Sequence, residues 1–379
     1  MAHARSNDVQ RLHVDRRLHK LGRTYRHSFP KFSHPECIGF FSINSQQEFE
    51  DNSSGASYLW MPPKESFPLD LKAGYERVIR KIEKTGIDDL ANLLKYIYNH
   101  QQLLTPTESK SLALRADFVA CRGVLRLLMC MPYETRDDFC VRATRLNGTI
   151  YIAKIQTDQQ REEKVSMTEH SAAMCSWGFK FEQYMSSPVP NTPPDTSLPV
   201  NEAVEFNAMF RCSLQGMRLL YGAEMDGIVS RNPVNFNDPE ALKNLQFVEF
   251  KTGAFEAEAR QQRSFNFCKS RTWWGQSFLV GVKTIMVGLR DGDGICHDIV
   301  RHDVAELARN KPWSPTAMFK FLEQFLKELK KLLEAINDPQ TVVELEFLPH
   351  SDSVYYRVLT SPEDQIIPEW YRTLMKGGA

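Results

Sequence analysis

The sequence predicts a mixed α/β fold in one domain, and three observations carry that expectation. Segments with apolar residues three and four apart alternate along the chain with segments that read as strands. An Asn-Gly pair, Asn147 and Gly148, sits between two such strands where a hairpin tip belongs. The one proline-rich interruption, SSPVPNTPPDTSLP at 186–199, has charged motifs on both sides, which makes it a surface loop within one domain.

In chain order, LDLKAGYERV through LLKYIYNHQQLL has helical spacing, and RATRLNGTIYIAKIQT alternates as a hairpin. MTEHSAAMCSWGFKFEQYM reads as a helix in spite of Gly178. After the proline-rich loop, NEAVEFNAMFRCSLQ is expected to be helical, followed by strands in MRLLYGAEMDGIV and LQFVEFKTGA. RSFNFCKSRTWWGQSFLVGV continues as a helix and KTIMVGLR as a strand. Finally, MFKFLEQFLKELKKLLEAI places Leu322, Phe325, Leu326, Leu329, Leu333 and Ile336 on one helical face, a core-packing stripe.

Composition narrows the function. The chain has 379 residues, 42% hydrophobic and 25% charged, which is globular. No apolar run reaches the roughly 18 residues of a membrane span, and the first twenty residues lack an apolar signal core, so neither membrane insertion nor export is expected. Eight cysteines form no CxxC pair and no zinc spacing, so isolated thiols in a reducing compartment are expected. Lys plus Arg balance Asp plus Glu at 47 each. Such a chain lacks the positive field of a protein that coats long nucleic acids, but a local groove or an end-binding pocket remains open to it. Residues 1–33 are the exception, a basic and flexible leader with Arg11, Arg16, Arg17, Lys20, Arg23 and Arg26 against Asp8 and Asp15. Residues 34–379 are expected to form the single domain.

LQFVEFKTGA sets Glu249 and Lys251 two apart in an otherwise apolar strand, and GAEMDGI does the same with Glu224 and Asp226. Side chains two apart on a strand share a face. On neighbouring strands, three carboxylates and one lysine would meet in one pocket, with Met225 and Phe250 pointing into the core. Two carboxylates about 4 Å apart repel by about 4 kcal/mol at an effective dielectric of 20, so three pairs cost roughly 12 kcal/mol. That rivals the whole stability of a domain, about 5–15 kcal/mol. One lysine cannot offset it. The cluster must protonate, stay wet and apart, or hold divalent cations, and an all-oxygen set points to Mg²⁺ or Mn²⁺. This is the E-x-D then E-x-K pattern of metal-dependent nucleases; taken alone, E-x-K is more often a surface ion pair.

Three further motifs accompany it. GFKFEQYM at 178–185 carries Glu182, TWWGQSFLVGV at 272–282 carries Gln276, and FVACRGVLRLLMCMPYE at 118–134 carries Arg122. In this order, with GAEMDG and VEFKT, they resemble the DXO family of RNA decapping exoribonucleases, from GFFSINSQQEF at 39–49 to PEWY at 368–371. The resemblance implies a large central mixed sheet, a smaller second sheet and flanking helices, with a core like that of restriction-type metal nucleases. It also implies removal of incomplete or unusual RNA 5′ caps, NAD-type caps included, hydrolysis of 5′ triphosphate, and 5′→3′ exoribonuclease activity.

Residue by residue, the resemblance makes Glu224, Asp226, Glu249, Glu182 and the Phe250 carbonyl the ligands of two Mg²⁺ or Mn²⁺ ions. Lys251 and Gln276 match the pair that orients water and the scissile phosphate. Arg122, flanked by Cys121 and Gly123, matches a phosphate contact, and Asn207 falls at a further substrate contact. Cys121 stands where vertebrate members have tryptophan, Gln47 where some have arginine, and Asp88 where glutamate is expected; these departures bear on cap preference. Trp273 and Trp274 read as core in preference to base-stacking platforms, and Arg290 as a phosphate contact or a strand-end ion pair. The implied partners are RNA 5′ ends and a nuclear 5′→3′ exonuclease, with nuclear residence and the cytoplasm left open as a second compartment. Two other readings stand beside this one. They are a catalytically silent protein that binds RNA 5′ ends and shields them or recruits an exonuclease, and a DNA endonuclease with the same core.

Overall fold

The computed structural model describes residues 9–14, 16, 28–82, 85–105, 113–336, 338, 340–349 and 351–375. Along the chain the strands are β1 (Gln10–Leu12), β2 (Glu36–Ile43), β3 (Phe49–Glu50), β4 (Tyr58–Leu59), β5 (Leu69–Asp70), β6 (Phe118–Cys121), β7 (Phe139–Leu146), β8 (Thr149–Ile155), β9 (Ser186–Ser187), β10 (Glu205–Leu214), β11 (Met217–Glu224), β12 (Gly227–Ile228), β13 (Phe247–Ala254), β14 (Thr284–Arg290), β15 (Ile295–Asp303), β16 (Val342–Phe347) and β17 (Val354–Leu359). The helices are α1 (Gly86–Asn99), α2 (Gln101–Leu104), α3 (Arg122–Cys130), α4 (Asp158–Val165), α5 (Glu169–Met185), α6 (Pro239–Lys243), α7 (Ala259–Ser264), α8 (Ser270–Phe278), α9 (Val304–Leu307), α10 (Pro315–Ile336) and α11 (Glu369–Met375).

The strands build two sheets, as the resemblance implies. The larger runs β1-β17-β16-β7-β8-β6-β11-β10-β2-β3, and the smaller runs β5-β15-β14-β13-β12-β4-β9. Parallel pairs (β6 with β8 and β11, β13 with β14, β12 with β4) lie among antiparallel neighbours, so both sheets are mixed. Apolar side chains cover the large sheet on both faces. Phe206, Ala208 and Phe210 join α3, α8 and α10 on one side. Met209 and Leu220 join α1 and α11 on the other. A third cluster packs α5 on the small sheet through Trp177, Phe181, Val248 and Phe250.

The Asn147-Gly148 hairpin forms as expected: both residues have positive φ, 49° and 85°, and β7 pairs with β8 around them. The stripe of α10 is core, with Leu322, Phe325, Leu326 and Leu329 fully buried. All eight cysteines are free thiols. No described helix is long and apolar enough to cross a membrane.

Two expectations are corrected. NEAVEFNAMFRCSLQ is not a helix; most of it is β10. A strand buried on both faces carries a near-continuous apolar run, which periodicity alone does not separate from a buried helix. LDLKAGYERV is not helical either. Leu69 and Asp70 pair with Cys296 and Ile295 as an edge strand, and Gly74, at φ 79°, turns the chain before one short 3-10 turn.

Within the basic leader, residues 1–8, 15 and 17–27 lie outside the described residues. Gln10–Leu12 add an edge strand to β17. Arg16 is buried and donates to the carbonyls of Met131, Glu134, Leu348 and Ser351.

Candidate active site

The large sheet hands the chain to the small one across two residues, Met225 and Asp226. Glu224 ends β11, opposite Asn207 on β10. Met225 turns into the core, its N–H donating to the Phe206 carbonyl at 2.9 Å. Gly227 then opens β12 against Val248 of β13. A Cβ on Gly227 would stand 3.1 Å from the Phe250 ring and 3.2 Å from a Val248 methyl, so the side chains of β13 pack tightly over this residue. On β13, Glu249 and Lys251 share a face, while Phe250 points into the small-sheet core.

Glu249 is fully buried and is the hub of the site. One oxygen accepts from Arg122 Nη1 at 2.6 Å. The other accepts from Lys251 Nζ at 2.8 Å and from Gln276 Nε2 at 2.9 Å. Lys251 also reaches Asp226 at 3.3 Å, and the same Asp226 oxygen accepts the Phe250 N–H at 2.7 Å. Four distant stretches of sequence thus meet on two carboxylates: the start of α3, the sheet crossing, β13 and α8.

The electrostatics follow from burial and crowding. Burial pushes Asp226 up to about 6, with Glu249 adding to the push and Lys251 opposing it. Glu224 is open to a cavity but ringed by protein on its other sides; that desolvation and then Glu205 take it to about 7. Glu182, on α5, is raised well above the usual carboxylate range by burial and then by Asp226. Glu249 goes the other way. Burial would raise it, but Lys251 and Arg122 together outweigh that and hold it at about 2. Burial opposes the charge on Lys251, yet Asp226 and Glu249 raise it above its ordinary value.

Three of the four carboxylates are therefore costly to ionise in the protein alone, and their donor set is all oxygen. In chemistry this fits a hard divalent cation. In spacing, Asp226 and Glu249 stand around Lys251 while Glu224 faces the neighbouring cavity: among the described residues, no three His, Cys, Asp or Glu groups converge closely enough to hold an ion. The ammonium and the guanidinium neutralise Glu249 where it stands, and they set the positions of the oxygens.

Beside this cluster a cavity of about 200 Å³ is lined by Cys121, Arg122, Gly123, Asn207 and Glu224, and also by Lys81, Asp89, Asn92 and Glu205. Cys121 precedes α3, so the first turn of that helix faces the cavity. Asn207 donates to Glu205 at 3.0 Å, and Lys81 forms an ion pair with Glu205. The last four residues were not anticipated from sequence. Glu205 and Asn207 lie two apart on one strand face, a pattern that reading β10 as a strand would have exposed. Lys81 lies in a loop with no local signal.

Of the three departures, Cys121 lines the cavity with Glu224, and the other two fall away from the carboxylates. Asp88 caps α1, accepting from the Thr85 N–H at 2.7 Å while Thr85 accepts the Asp88 N–H. Gln47 stands in a left-handed turn at φ 61°. Trp273 and Trp274 are both buried. Arg290 donates to the Asp291 carbonyl at 2.9 Å and lies over the Trp177 ring at 4.6 Å.

Residues 33–372 match the sequence profile of the family described as RAI1 like PD-(D/E)XK nuclease. The chain belongs to this family. Among RAI1-like relatives, it is 49% identical over 361 residues to the decapping and exoribonuclease protein Rai1 of Drosophila melanogaster, covering 94% of this chain and 96% of the relative. The human decapping and exoribonuclease protein is 28% identical, with 92% and 87% covered. In structure, Scheffersomyces stipitis Rai1 in complex with (3′-NADP)⁺ and calcium superposes with a TM-score of 0.78 at 19% identity, over 92% of this chain and 98% of that one. Candida albicans Rai1 in complex with pU5-Mn²⁺ gives 0.76 at 18% identity, over 93% and 97%. These structural likenesses establish the RAI1-like fold. With the family match, they place the chain in the RAI1-like PD-(D/E)XK nuclease family.

Proposed function

We propose that this protein is a divalent-metal-dependent hydrolase of RNA 5′ ends. It removes incomplete or unusual caps, NAD-type caps among them, and 5′ triphosphate, and it then degrades the RNA 5′→3′, in RNA 5′-end quality control. The observation that carries the reading is the enclosed Glu249 carboxylate, held at once by Arg122, Lys251 and Gln276 beside Asp226 and Glu224. The relatives' names support it, as do the nucleotide, RNA and metal bound by the related structures.

In this reading Glu182, Glu224, Asp226, Glu249 and the Phe250 carbonyl would hold two Mg²⁺ or Mn²⁺ ions, closing in from the wider spacing of this structure. When bound, such ions supply Lewis acidity at phosphoryl oxygens and a water that ionises near neutral pH. The chain's own groups do the positioning. Lys251 stays an ammonium at neutral pH because Asp226 and Glu249 favour its charge, so it steadies developing negative charge and does not abstract a proton. Gln276 commits its amide N–H to Glu249, which leaves its oxygen to accept from the attacking water. Arg122 and the first amides of α3, around Cys121 and Gly123, take the substrate phosphate at a helix N-terminus. Asn207 and Lys81 line the cavity that receives the terminal nucleotide.

The basic residues before position 33 support nuclear residence, and the family resemblance supports a nuclear 5′→3′ exonuclease as partner. The test is a panel of RNAs with triphosphate, unmethylated cap, methylated cap and NAD ends, incubated with Mn²⁺ or Mg²⁺. Release of cap nucleotides or pyrophosphate from one or more of them is expected. Tight binding with no product at any metal concentration would instead make this a silent end-binding protein.

A further inference from the structure

Strand β2 is an open edge of the large sheet along most of its length. On one side β10 pairs with it from Glu36 to Ile43. On the other, β3 pairs only with Ser42 and Ile43 and stops after Glu50. There the chain leaves the sheet, and Asp51 bonds Asn99 at 2.7 Å and His100 at 2.9 Å at the end of α1. Glu36 to Phe41 therefore have no strand beside them on that side. The Phe206 carbonyl, opposite Ser42, faces β11, where it accepts from the Met225 N–H. Ser42 and, two residues back, Phe40 thus direct their N–H and C=O groups away from β10 and toward the open side.

This edge lines a cavity of about 420 Å³, with five consecutive residues, Glu36 to Phe40, in its wall. Successive strand residues point to opposite faces of a sheet, so one cavity reaches all five only from the edge. Its other walls come from both faces. Tyr96, His100 and Leu103 of the α1–α2 corner stand on one, and Phe236 and Leu242 around α6 stand on the other. Ile38 is the extra residue of a bulge, since Gly39 pairs with Met209 and Cys37 with Phe210. The bulge sends Ile38 and Phe40 to different faces: Ile38 packs with the α1 cluster, and Phe40 meets the Phe236 ring at 4.9 Å. Tyr96 crosses the strand at Gly39, where a Cβ would stand 1.8 Å from its hydroxyl, and that hydroxyl donates to the Ile38 carbonyl at 3.3 Å.

A further cavity, of about 380 Å³, continues the first past the Arg211–Glu36 ion pair and shares Glu36, Leu103 and Arg211 with it. Neither shares a lining residue with the cavity around Glu224. Arg211 lies four residues beyond Asn207 on β10, about 13 Å from the catalytic end of that strand. The chemistry of this trough selects its occupant. Leu104, Leu219 and Leu220 floor the far half, and Leu103 on the rim is 62% exposed. Arg115, Arg211, Arg218 and Lys243 stand against Glu36 and Asp51, four cations to two carboxylates. Arg115 is exposed and makes no ion pair among the described residues.

A row of backbone donors and acceptors calls for donors and acceptors in return. A peptide backbone supplies both, whereas the phosphates of a nucleic acid only accept. Two copies of this chain joined edge to edge would set like charges against each other. We propose that the trough between the open edge of β2, α2 and α6 docks an extended acidic segment of a partner protein, which adds to the large sheet as a strand in line with β3. Its acidic side chains meet Arg115, Arg211 and Lys243, and its alternate apolar side chains settle against Leu103, Phe236 and Leu242.

The test is selection of a phage-displayed library of random ten-residue peptides on the full chain. Enriched sequences are expected to be acidic, to alternate with apolar residues and to lack proline, which cannot donate to a ladder. A synthetic peptide of the enriched sequence should slow hydrogen exchange at the Phe40 amide. Two variants, Arg115→Glu with Lys243→Glu and Leu103→Gln, change exposed side chains away from the catalytic cluster. The first is expected to weaken peptide binding about tenfold and the second severalfold, both at the Tm of the wild type. No enrichment, basic or proline-rich winners, unaltered exchange at Phe40, or wild-type affinity in both variants would overturn the proposal. Competition by polyuridylate at physiological salt would also overturn it, by making the trough a nucleic-acid site. So would a concentration-dependent dimer that Leu103→Gln dissociates, which would seat a second copy there.

Discussion

Arg122 donates to Glu249 across 127 residues of sequence at 2.6 Å, joining the first turn of a helix on the large sheet to the central strand pair of the small one. The guanidinium is about nine-tenths buried and the carboxylate wholly so. Removing Arg122 leaves the wholly buried Glu249 with Lys251 as its one remaining cationic partner among the described residues, and with one oxygen unbonded. Arg122→Met is expected to lower stability by about 3–5 kcal/mol, and the double change Arg122→Met with Glu249→Gln to recover most of it. Chemical denaturation of the three variants measures this; a neutral single variant would show that the bond does not tie the two sheets together.

Glu224 and Asp226 have folded values, about 7 and about 6, above those of free carboxylates. Their ionisation therefore costs stability that is intact below about pH 4 and lost as pH rises through 6 and 7. Glu249, held at about 2, contributes in the opposite sense, and only as the pH falls below its unfolded value. A bound divalent ion competes with protons for Glu224 and Asp226. The rise in Tm on adding Mn²⁺ is expected to be larger at pH 8 than at pH 5.5. A shift independent of pH would place the ion elsewhere.

Lys81 meets the substrate cavity through Glu205 and the field of Glu224. Lys81→Ala removes a cation from the cavity wall and leaves Lys251, Gln276 and Arg122 in place. KM for capped RNA is expected to rise severalfold with kcat nearly unchanged. A fall in kcat alone would mean that Lys81 acts on the reacting phosphate.

Asp88 is the third residue of α1, completing the capping box with the N-cap Thr85, and not part of the cavity lining. Asp88→Ala is expected to cost about 0.5–2 kcal/mol of stability and to leave the order of cap preference intact. Changed cap preference without destabilisation would return this residue to the substrate.

The sequence showed the cluster more clearly than the fold around it. Period-two spacing set Glu224 with Asp226 and Glu249 with Lys251; Asp226, Glu249 and Lys251 do meet, while Glu224 faces the neighbouring cavity. That alternation survives because β13 has one polar face. β10 has none that is continuous: apolar residues cover both its faces, so its run Phe206, Ala208, Met209, Phe210 read as helix, and the pairing of Asn207 with Glu224 was hidden. The edge strand at Leu69–Asp70 owes its form to β15, which arrives more than 220 residues later. The expected convergence of oxygens on one point was an argument about charge alone. It left out how much of Glu249 is satisfied by Arg122, Lys251 and Gln276, donors on three separate elements.

The central claim is that these carboxylates hold a catalytic divalent cation. Anomalous diffraction from crystals soaked in Mn²⁺ tests it most directly. The account predicts a manganese peak bounded by Glu224, Asp226 and Glu249, absent when Glu224 and Asp226 are both changed to alanine in a protein that still folds. No peak at that position in the wild type, or a peak that persists in the double variant, would contradict it.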